Sequence, residues 1–585
     1  MLLGASNYTM QALVAPTRAE TDRAHAEGGW LDIGVASIRN LFKIKRHRTI
    51  LWAVLGLSSM PIHLLYNSAV FETIGANPYI ATVASPAWIN GGDLSTVVQI
   101  TIPSSLEQHI PFHESDMRER AMSIRNMFQA NLHNTSRVQN LSTQECISTY
   151  SPSFVSRNNH VVAITNEVVH TSRTSYFDIQ DDDTDEKVWM CADIPGRTYT
   201  YTCDPRQINP TNWTIYDRKI DYCLSEVLPQ HCKVQFSAYI LVVVIFMNAV
   251  KSIAMFVAVR GHKDVTLVTI GDAIASYMEA PGEFAQAGCL LGRKDVKRLK
   301  KEGQATRARH LYSEPKAYAP VYHARWSKAA SQARWLSCLF LIVTALTATG
   351  ILMFQAGSAF GLGWGTLDLN ALLPLKLSGG QGIMYGVLLA NTPQLLASFL
   401  YVVSNSLLTT LLLGKEWSDF ARQRKALRVT TRRGAQRSTY WLQLPYRYSI
   451  PLLVILATLH WVISQSLFLA RIAYYFDGVP FGQDADVSSV GYSLGPILTA
   501  MVIILVSTAA LVALGFRKLD PTMPIAGSCS LAIAAACHRP KDDVDAARKP
   551  VQWGEVVGEG GNGEVGHCCF TSQPVTSPIP GRLYA

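Results

Sequence analysis

One run of about 22 apolar residues constrains this chain more than any other feature of its sequence. Residues 50–71 read ILWAVLGLSSMPIHLLYNSAVF and contain no Lys, Arg, Asp or Glu. An α-helix rises about 1.5 Å per residue, so this run is long enough to cross a hydrocarbon core of about 30 Å. The basic segment KIKRHR at 43–48 precedes the run, and a long polar segment follows it. Because basic loops stay in the cytoplasm, the run predicts a membrane span whose first end is cytoplasmic.

The composition of the whole chain also favours a membrane protein. Hydrophobic residues make up 48% of the 585 residues and charged residues only 16%, whereas soluble domains are about 25% charged. A net charge of +9 is a property that nucleic-acid binders share. Here, however, the basic residues are concentrated in loops beside apolar runs, as in cytoplasmic membrane loops. We therefore expect the lipid bilayer as a partner and no nucleic acid.

Five further apolar runs alternate with loops of unequal charge. If every run crosses a bilayer, all strongly basic loops fall on one side, which predicts an all-α multi-pass transmembrane bundle of about six spans. Pro61 predicts a kink in the first span. The predicted segments are a cytoplasmic N-terminal segment (1–48), spans at 49–71, 234–259, 335–354, 391–413, 448–469 and 494–516, an extracytoplasmic insert (72–233), basic cytoplasmic loops (260–334 and 414–447) and a disordered cytoplasmic tail (517–585).

The segment between the first two spans differs from every other loop. Its runs 95–102 and 160–169 alternate or carry β-branched residues, so the segment is predicted to be an α+β or β-rich insert. Three N-glycosylation sequons begin at Asn134, Asn140 and Asn212. In an oxidising lumen its five cysteines should form disulfides, with one cysteine left over. These disulfide candidates are Cys146, Cys191, Cys203, Cys223 and Cys232.

Several polar side chains lie inside the predicted spans, where such residues are costly and often mark a transport path. Lys251 is the clear cation among them, and its long side chain could instead extend toward the nearby membrane surface. Each of the others could equally form an interhelical hydrogen bond. The candidate polar path consists of His63, Asn67, Asn248, Lys251, Asn391, Asn405, His460 and Gln465.

The motif matches in the sequence do not indicate an enzyme or a cofactor site. LSGGQ at 377–381 matches the signature of ABC-type ATPases, but the sequence has no GxxxxGK(S/T) loop to go with it, so a flexible loop is favoured. The acidic run 181–186 lacks the spacing of a calcium loop. The sequence also lacks HExxH and paired Cys-x-x-Cys motifs, and we expect no enzyme, no metal and no cofactor. His567-Cys568-Cys569 in the tail is compatible with palmitoylation.

Seven sequence blocks spread along the chain carry a family resemblance. They are GGWLDIGVASIRNL (28–41), the first span (50–71), YCLSEVLPQHCKVQFS (222–237), TLVTIGDAIASYM (266–278), LLANTPQLLASFLYVVSN (388–405), QRSTYWLQLPYRYSIPLL (436–453) and AGSCSLAIAAACH (526–538). With these blocks the chain resembles an uncharacterised family of fungal multi-pass membrane proteins, the domain of unknown function 6536. The resemblance implies about two more spans upstream, and hence an N-terminally truncated member whose missing part would hold the partner of the odd cysteine.

Two classes of function remain open at this stage. The first is a receptor-like or scaffolding role, in which protein partners would bind the extracytoplasmic insert and the basic cytoplasmic loops. The alternative is a small-solute transporter or channel. Carriers commonly contain paired repeats or paired Gly/Pro-broken helices, and Pro61 and Pro393 do not define paired halves. The first class is therefore favoured, in the plasma membrane or a membrane of the secretory pathway.

Overall fold

The fold is known from a computed structural model, which describes residues 2–92, 94–103, 114–152, 154–167, 177–180, 188–191, 205, 208–261, 264–282, 288–301, 315–322, 324–356, 364, 373, 377–440, 443–476, 479–480, 487–556 and 565–585. Its α-helices are α1 Leu2–Val14, α2 Arg18–Ala26, α3 Ile38–Leu41, α4 Arg46–Leu57, α5 Ser59–Leu65, α6 Pro86–Ile89, α7 Glu114–Asn131, α8 Thr143–Tyr150, α9 Ala238–Gly261, α10 Ile270–Glu279, α11 Arg293–Lys301, α12 Gln332–Ala356, α13 Gly379–Arg422, α14 Tyr446–Ser466, α15 Leu494–Gly515 and α16 Ser530–Ala535.

The strands are mostly short and belong to several separate sheets. They are β1 Val70–Ala76, β2 Ala81–Ala84, β3 Val97–Pro103, β4 Val138–Ser142, β5 Asn158–Ile164, β6 Phe177–Gln180, β7 Thr214–Ile215, β8 Arg218–Lys219, β9 Tyr222–Val227, β10 Cys232–Phe236, β11 Lys316–Ala317, β12 Leu377–Ser378, β13 Arg428–Val429, β14 Arg437–Ser438, β15 Leu467–Phe476, β16 Val479–Pro480, β17 Val487–Tyr492, β18 Gln552–Val556, β19 Val565–Gly566, β20 Cys568–Thr571, β21 Val575–Thr576 and β22 Leu583–Tyr584.

Six helices in the described part of the chain are long and apolar enough to cross a membrane. Many of their large apolar side chains point outward, for example Phe340 and Val506, which are 70% and 63% exposed. Water disfavours such a surface, whereas lipid tails accept it, so the chain is a membrane protein. We number these helices span 1 (Arg46–Ser68), span 2 (Ala238–Gly261), span 3 (Gln332–Phe354), span 4 (Gly382–Arg422), span 5 (Tyr446–Ser466) and span 6 (Leu494–Gly515).

A small sheet lies against one end of the bundle and joins several spans. Its strand order is β10-β1-β15-β17-β12, with β16 beside β15. β1 follows span 1 and β15 follows span 5, and these two strands are parallel neighbours. β10 and β17 lead into spans 2 and 6. We call this structure the capping sheet. The prediction of a purely all-α bundle was therefore wrong, because the chain leaves the spans as paired strands rather than as loops.

The insert between spans 1 and 2 is an α+β domain built on a second sheet. Its strand order is β4-β9-β5-β2-β3-β6. Successive residues of a strand face opposite sides, so Val161 and Ala163 of β5 enter one buried cluster. Val162 and Ile164 enter another cluster on the opposite face. Helix α8 covers the first face and helix α7 covers the second. We call this unit the insert domain.

The opposite end of the bundle holds a second folded unit, which we call the tail domain. It consists of the described residues within 15–45, 264–331, 423–445 and 516–585, together with the last turns of span 4. One hydrophobic core joins Trp30 from the N-terminal segment, Ile274 from the loop after span 2, Trp417 from span 4 and Phe570 from the tail. The segments that form this domain are the ones that the charge pattern predicts to be cytoplasmic.

The tail domain corrects the prediction of a disordered tail at 517–585. Leu531, Cys568 and Phe570 are fully buried, and Tyr584 is nearly so. The Gly- and Pro-rich composition suggested disorder, but the apolar residues of the tail fill a core that distant segments complete. Because Cys568 and Cys569 are buried, they are not accessible for palmitoylation. Helix α10 also lies in this core, with Ile270, Ile274 and Met278 buried.

Candidate functional site

A polar cluster inside the bundle joins spans 1, 4 and 5. The imidazole rings of His63 and His460 stack with their centroids 5.4 Å apart. The Ser398 hydroxyl lies between them, 3.2 Å from both ring nitrogens of His63 and 3.4 Å from Nε2 of His460. We call His63, Ser398, His460 and Gln394 the histidine node. Polar groups of this kind within an apolar bundle are expensive and commonly functional.

The contact between His460 and Gln394 fixes where His460 carries its proton. Nδ1 of His460 contacts Oε1 of Gln394, and this amide oxygen can only accept, so neutral His460 carries its proton on Nδ1. Its Nε2 is then an acceptor that faces the Ser398 hydroxyl. The Gln394 carbonyl, 3.1 Å from the same hydroxyl, is a second acceptor for the one proton of Ser398. These contacts link His63, Ser398, His460 and Gln394.

A break in span 1 places His63. Helix α4 ends at Leu57 and α5 begins at Ser59. Pro61 has no N–H for the Leu57 carbonyl, and its ring crowds that carbonyl, so the helix is interrupted there. This break occurs where the sequence predicted a kink. The side chains of Ser59 and His63 are four residues apart in α5 and therefore share one face.

Lys251 of span 2 extends the histidine node into a longer column of polar residues. This column consists of Lys251, Ser59, His63, Ser398, His460, Gln394, Asn391 and Ser68. Its side chain is fully buried, and its Nζ donates to the Ser59 hydroxyl over 2.5 Å. The suggestion that Lys251 extends toward the membrane surface was therefore wrong, since a hydroxyl one turn from His63 holds the ammonium inside. A buried ammonium with a hydroxyl partner is a costly arrangement.

Asn391 of span 4 forms the other end of the column. Its Nδ2 donates to the Ser68 hydroxyl over 2.6 Å and to the Val387 carbonyl over 2.8 Å. Its Oδ1 is buried and has no hydrogen-bond partner among the described residues. Asn391, Gln394 and Ser398 follow one another at helical spacing, so they share one face of span 4 over about 10 Å.

The structure brings together only part of the predicted polar path. His63, His460, Lys251 and Asn391 belong to the column. Asn405 lies two turns beyond Ser398, where its buried Oδ1 has no partner within the described residues. The others are half-buried and make no hydrogen bond to the column in the described part of the chain: Asn67, Asn248 and Gln465. The sequence reasoning left out Ser59, Ser68, Gln394 and Ser398, although the polar spacing at 391, 394 and 398 was a usable signal.

Most of the candidate residues predicted in the insert domain lie in the described part of the chain. Asn134, Asn140 and Asn212 are exposed, and their glycosylation stays a prediction. Cys146 of α8 is bonded to Cys223 of β9, and Cys191 is also disulfide-bonded. Cys232 is an exposed thiol, whereas Cys203 lies outside the described residues. The acidic run 181–186 lies outside them as well, and in LSGGQ the residues Leu377–Ser378 form strand β12 of the capping sheet.

Comparisons with known proteins match two segments of the chain to families of unknown function and indicate no activity. Residues 1–73 match the family of unknown function DUF6536. This match covers α1, α2 and span 1, and over these residues it confirms the resemblance to that family. The fungal origin and the upstream spans stay predictions. Residues 304–584 match a domain of unknown function, DUF8419, which covers spans 3 to 6 and the tail. No curated protein and no solved structure matches the chain.

Proposed function

We propose that this DUF6536 protein is a receptor-like membrane protein that passes a change in the insert domain to the tail domain through span 4. One observation carries this proposal. Helix α13 is a single helix of 44 residues, about 66 Å long at 1.5 Å per residue. It begins beside the capping sheet, passes the histidine node, and ends in the tail-domain core with Trp417 and Phe420 buried.

The first step of the proposed path joins the insert domain to the capping sheet. Phe476, the last residue of β15, belongs to a hydrophobic core cluster of the insert domain. Beside it, the rings of His231 and Tyr475 stack with centroids 4.5 Å apart. A shift of the insert domain would therefore move β15, and with it span 5.

The second step joins the capping sheet to the histidine node. Spans 1 and 5 continue directly into the paired strands β1 and β15, and they supply His63 and His460. Both histidines contact Ser398 of span 4. A relative movement of the two strands would therefore change the contacts that hold span 4. We further propose that protein partners bind the insert domain and the exposed basic surface of the tail domain, in the plasma membrane or a secretory-pathway membrane.

Hydrogen–deuterium exchange on the full chain in nanodiscs tests this proposal. The Cys146→Ser/Cys223→Ser variant loosens the insert domain, and exchange is then followed at 413–422 and 526–538. We expect faster exchange at both segments, and we expect Ser398→Ala to abolish that response. Ser404→Ala is the matched control, because Ser404 lies on the same helix and contacts Cys338 of span 3 instead. Unchanged exchange in the tail domain would contradict the proposal.

The alternative function, a small-solute transporter or channel, draws support from the two histidines of the histidine node. Histidine side chains inside the membrane occur in the proton relays of pumps and transporters. Proteoliposomes that contain a pH-sensitive dye test this alternative, followed by uptake assays with a panel of solutes. Proton entry that His460→Leu abolishes would favour the carrier. No flux above that of empty vesicles would favour the receptor-like role.

A further inference from the structure

A cavity of about 2130 Å³ lies where the tail domain meets spans 3, 4 and 6. Ordinary small-molecule sites measure about 300–1,000 Å³, so this space suits a larger molecule. Part of its wall is basic and is formed by Arg39, Arg293, Lys294, Lys297, Lys328 and Arg334. Another part is apolar and is formed by Leu336, Leu339, Phe399, Val402 and Val512.

The two carboxylates in the wall are already engaged. Asp32 accepts hydrogen bonds from Ser37 and Ser528 and lies 3.7 Å from Arg334. Burial alone would raise the pKa of Asp32, but the Arg334 charge and the two hydroxyls outweigh burial and lower it. Asp295 forms an ion pair with Lys316 over 2.9 Å. The basic side chains that remain in the wall make no ion pair within the described residues: Arg39, Arg293, Lys294, Lys297 and Lys328.

Two of these cations show that positive charge is in excess. Arg293 donates through Nη1 to the Ala329 carbonyl. Its Nε is buried and has no hydrogen-bond partner in the part of the chain that is described. Burial and then the neighbouring charges of Arg293 and Arg39 lower the pKa of Lys297. An anion placed among these groups would satisfy the Arg293 donor and relieve the repulsion.

We propose that this cavity binds an acidic phospholipid, with its phosphates among the basic side chains and its acyl chains along spans 3 and 4. The basic residues lie at the tail-domain ends of the spans, which is the level of the headgroups in that leaflet. The apolar residues continue from there toward the middle of the membrane, and Leu336 and Val402 are 66% and 50% exposed. Basic pockets beside spans on the cytoplasmic side are suited to phosphorylated lipid headgroups.

Binding to the purified full chain in detergent tests the proposal. The probes are dioctanoyl phosphatidylinositol bisphosphate, dioctanoyl phosphatidylcholine and soluble inositol trisphosphate. The test variant is Lys294→Gln/Lys297→Gln/Lys328→Gln, since these three side chains are exposed and make no described hydrogen bond or ion pair. The matched control is Arg432→Gln/Arg433→Gln/Arg437→Gln, which removes three exposed charges of the same domain outside the cavity.

We expect the phosphoinositide to bind the wild type and the control equally, and to bind the test variant at least about tenfold more weakly, because the variant removes three positive charges that attract an anionic headgroup. Phosphatidylcholine should bind far more weakly than the phosphoinositide. Equal affinity for the test variant and the wild type, or equal affinity for the two lipids, would overturn the proposal. Inositol trisphosphate binding as tightly as the lipid would assign the site to a soluble phosphate instead. Should the triple variant fail to fold, Lys297→Glu alone must still weaken phosphoinositide binding.

Discussion

The rings of His63 and His460 stack 5.4 Å apart although they come from the first and the fifth span. The two rings share Ser398 of span 4 as a hydrogen-bond partner, so the cluster links three spans. Only the gain of a proton by both rings would place two positive charges at this distance, where they repel each other.

Replacing His460 with leucine should destabilise the bundle. The change removes Nδ1 of His460, which donates to Oε1 of the buried Gln394 side chain. An unsatisfied buried polar group costs about 1–3 kcal/mol. A lower midpoint of thermal unfolding in detergent is the expected result. His47→Leu is the control, because His47 is exposed and surface changes stay within about 0.5 kcal/mol. Equal midpoints for the two variants would show that the node adds no stability.

Replacing Lys251 with methionine should have the opposite effect on stability. The ammonium is buried against a single described partner, Ser59, and exchanging a buried charge for an apolar side chain of similar size can stabilise by about 1–4 kcal/mol. The Ser59 hydroxyl keeps its bond to the Leu55 carbonyl at 2.8 Å, so no donor is orphaned. We expect a higher unfolding midpoint for Lys251→Met. A lower midpoint would mean that the ammonium has stabilising contacts beyond Ser59. If the wild type carries a flux, an unchanged flux in this variant would exclude Lys251 from the path.

The spans were predictable from sequence because lipid imposes a local requirement. About 20 apolar residues must follow one another in each span, and a window of that length detects them. The histidine node is different, because the meeting of His63, Ser398 and His460 depends on how three distant spans pack. Their polar character was visible, but their contact was not.

The prediction that the tail is disordered was wrong for the same reason, because the order of the tail depends on contacts between distant segments. The run LAIAAAC at 531–537 is too short to indicate a core by itself. Its burial depends on Trp30, Tyr277 and Phe420, which belong to three other segments of the chain. Composition measures only what a segment contains, whereas this segment is ordered by what packs against it.

Removing the Phe570 ring tests the folded tail directly. Phe570 is fully buried, and its ring lies 5.3 Å from the rings of both Trp417 and Phe420. Large-to-small changes of this kind cost about 3–5 kcal/mol. We expect Phe570→Ala to speed proteolysis of the tail markedly in limited digestion. Ile579→Ala is the control, since Ile579 is 55% exposed. A tail that the protease cuts equally fast in the wild type and both variants would be disordered after all.

The stability of the tail domain should fall as the pH drops below about 6.5. Burial, followed by the nearby Arg18 charge, lowers the pKa of His25 from 6.5 to about 3. Between pH 6.5 and 3 the unfolded chain binds a proton at His25 that the folded chain does not bind. The contribution of His25 to stability is therefore complete above pH 6.5 and is lost on acidification. One histidine contributes about 1.4 kcal/mol per pH unit in this window.

His25→Gln should therefore flatten the pH dependence of tail-domain exchange between pH 6.5 and 5. Glutamine keeps a partner for Ser530, whose hydroxyl lies 2.8 Å from His25 Nε2. The slope should decrease without vanishing, since burial lowers the pKa of His538 to about 4 as well. His47→Gln, at an exposed histidine, should leave the slope as it is. Identical slopes for His25→Gln and the wild type would contradict this account.

Glycosylation tests the orientation of the chain in the membrane. Asn134, Asn140 and Asn212 are exposed on the insert domain, so endoglycosidase treatment should lower the apparent mass, and Asn→Gln changes should remove that shift. The chain has an internal control in Asn7-Tyr8-Thr9, which has the same sequon. There Asn7 donates to the Tyr401 hydroxyl over 3.4 Å beside the spans. A sugar on Asn7, together with unglycosylated asparagines in the insert domain, would show that the orientation is the opposite of the predicted one.

The core of the tail domain has a consequence for how the protein is made. Tyr584 and Trp30, almost the whole chain apart in sequence, are buried in the same core. Residue 584 must therefore be synthesised before this core can close, and until then the apolar side chains around Trp30 lack part of their packing. A chain cut short before Phe570 would lack two aromatic side chains of this core, and the early segments would stay incompletely packed.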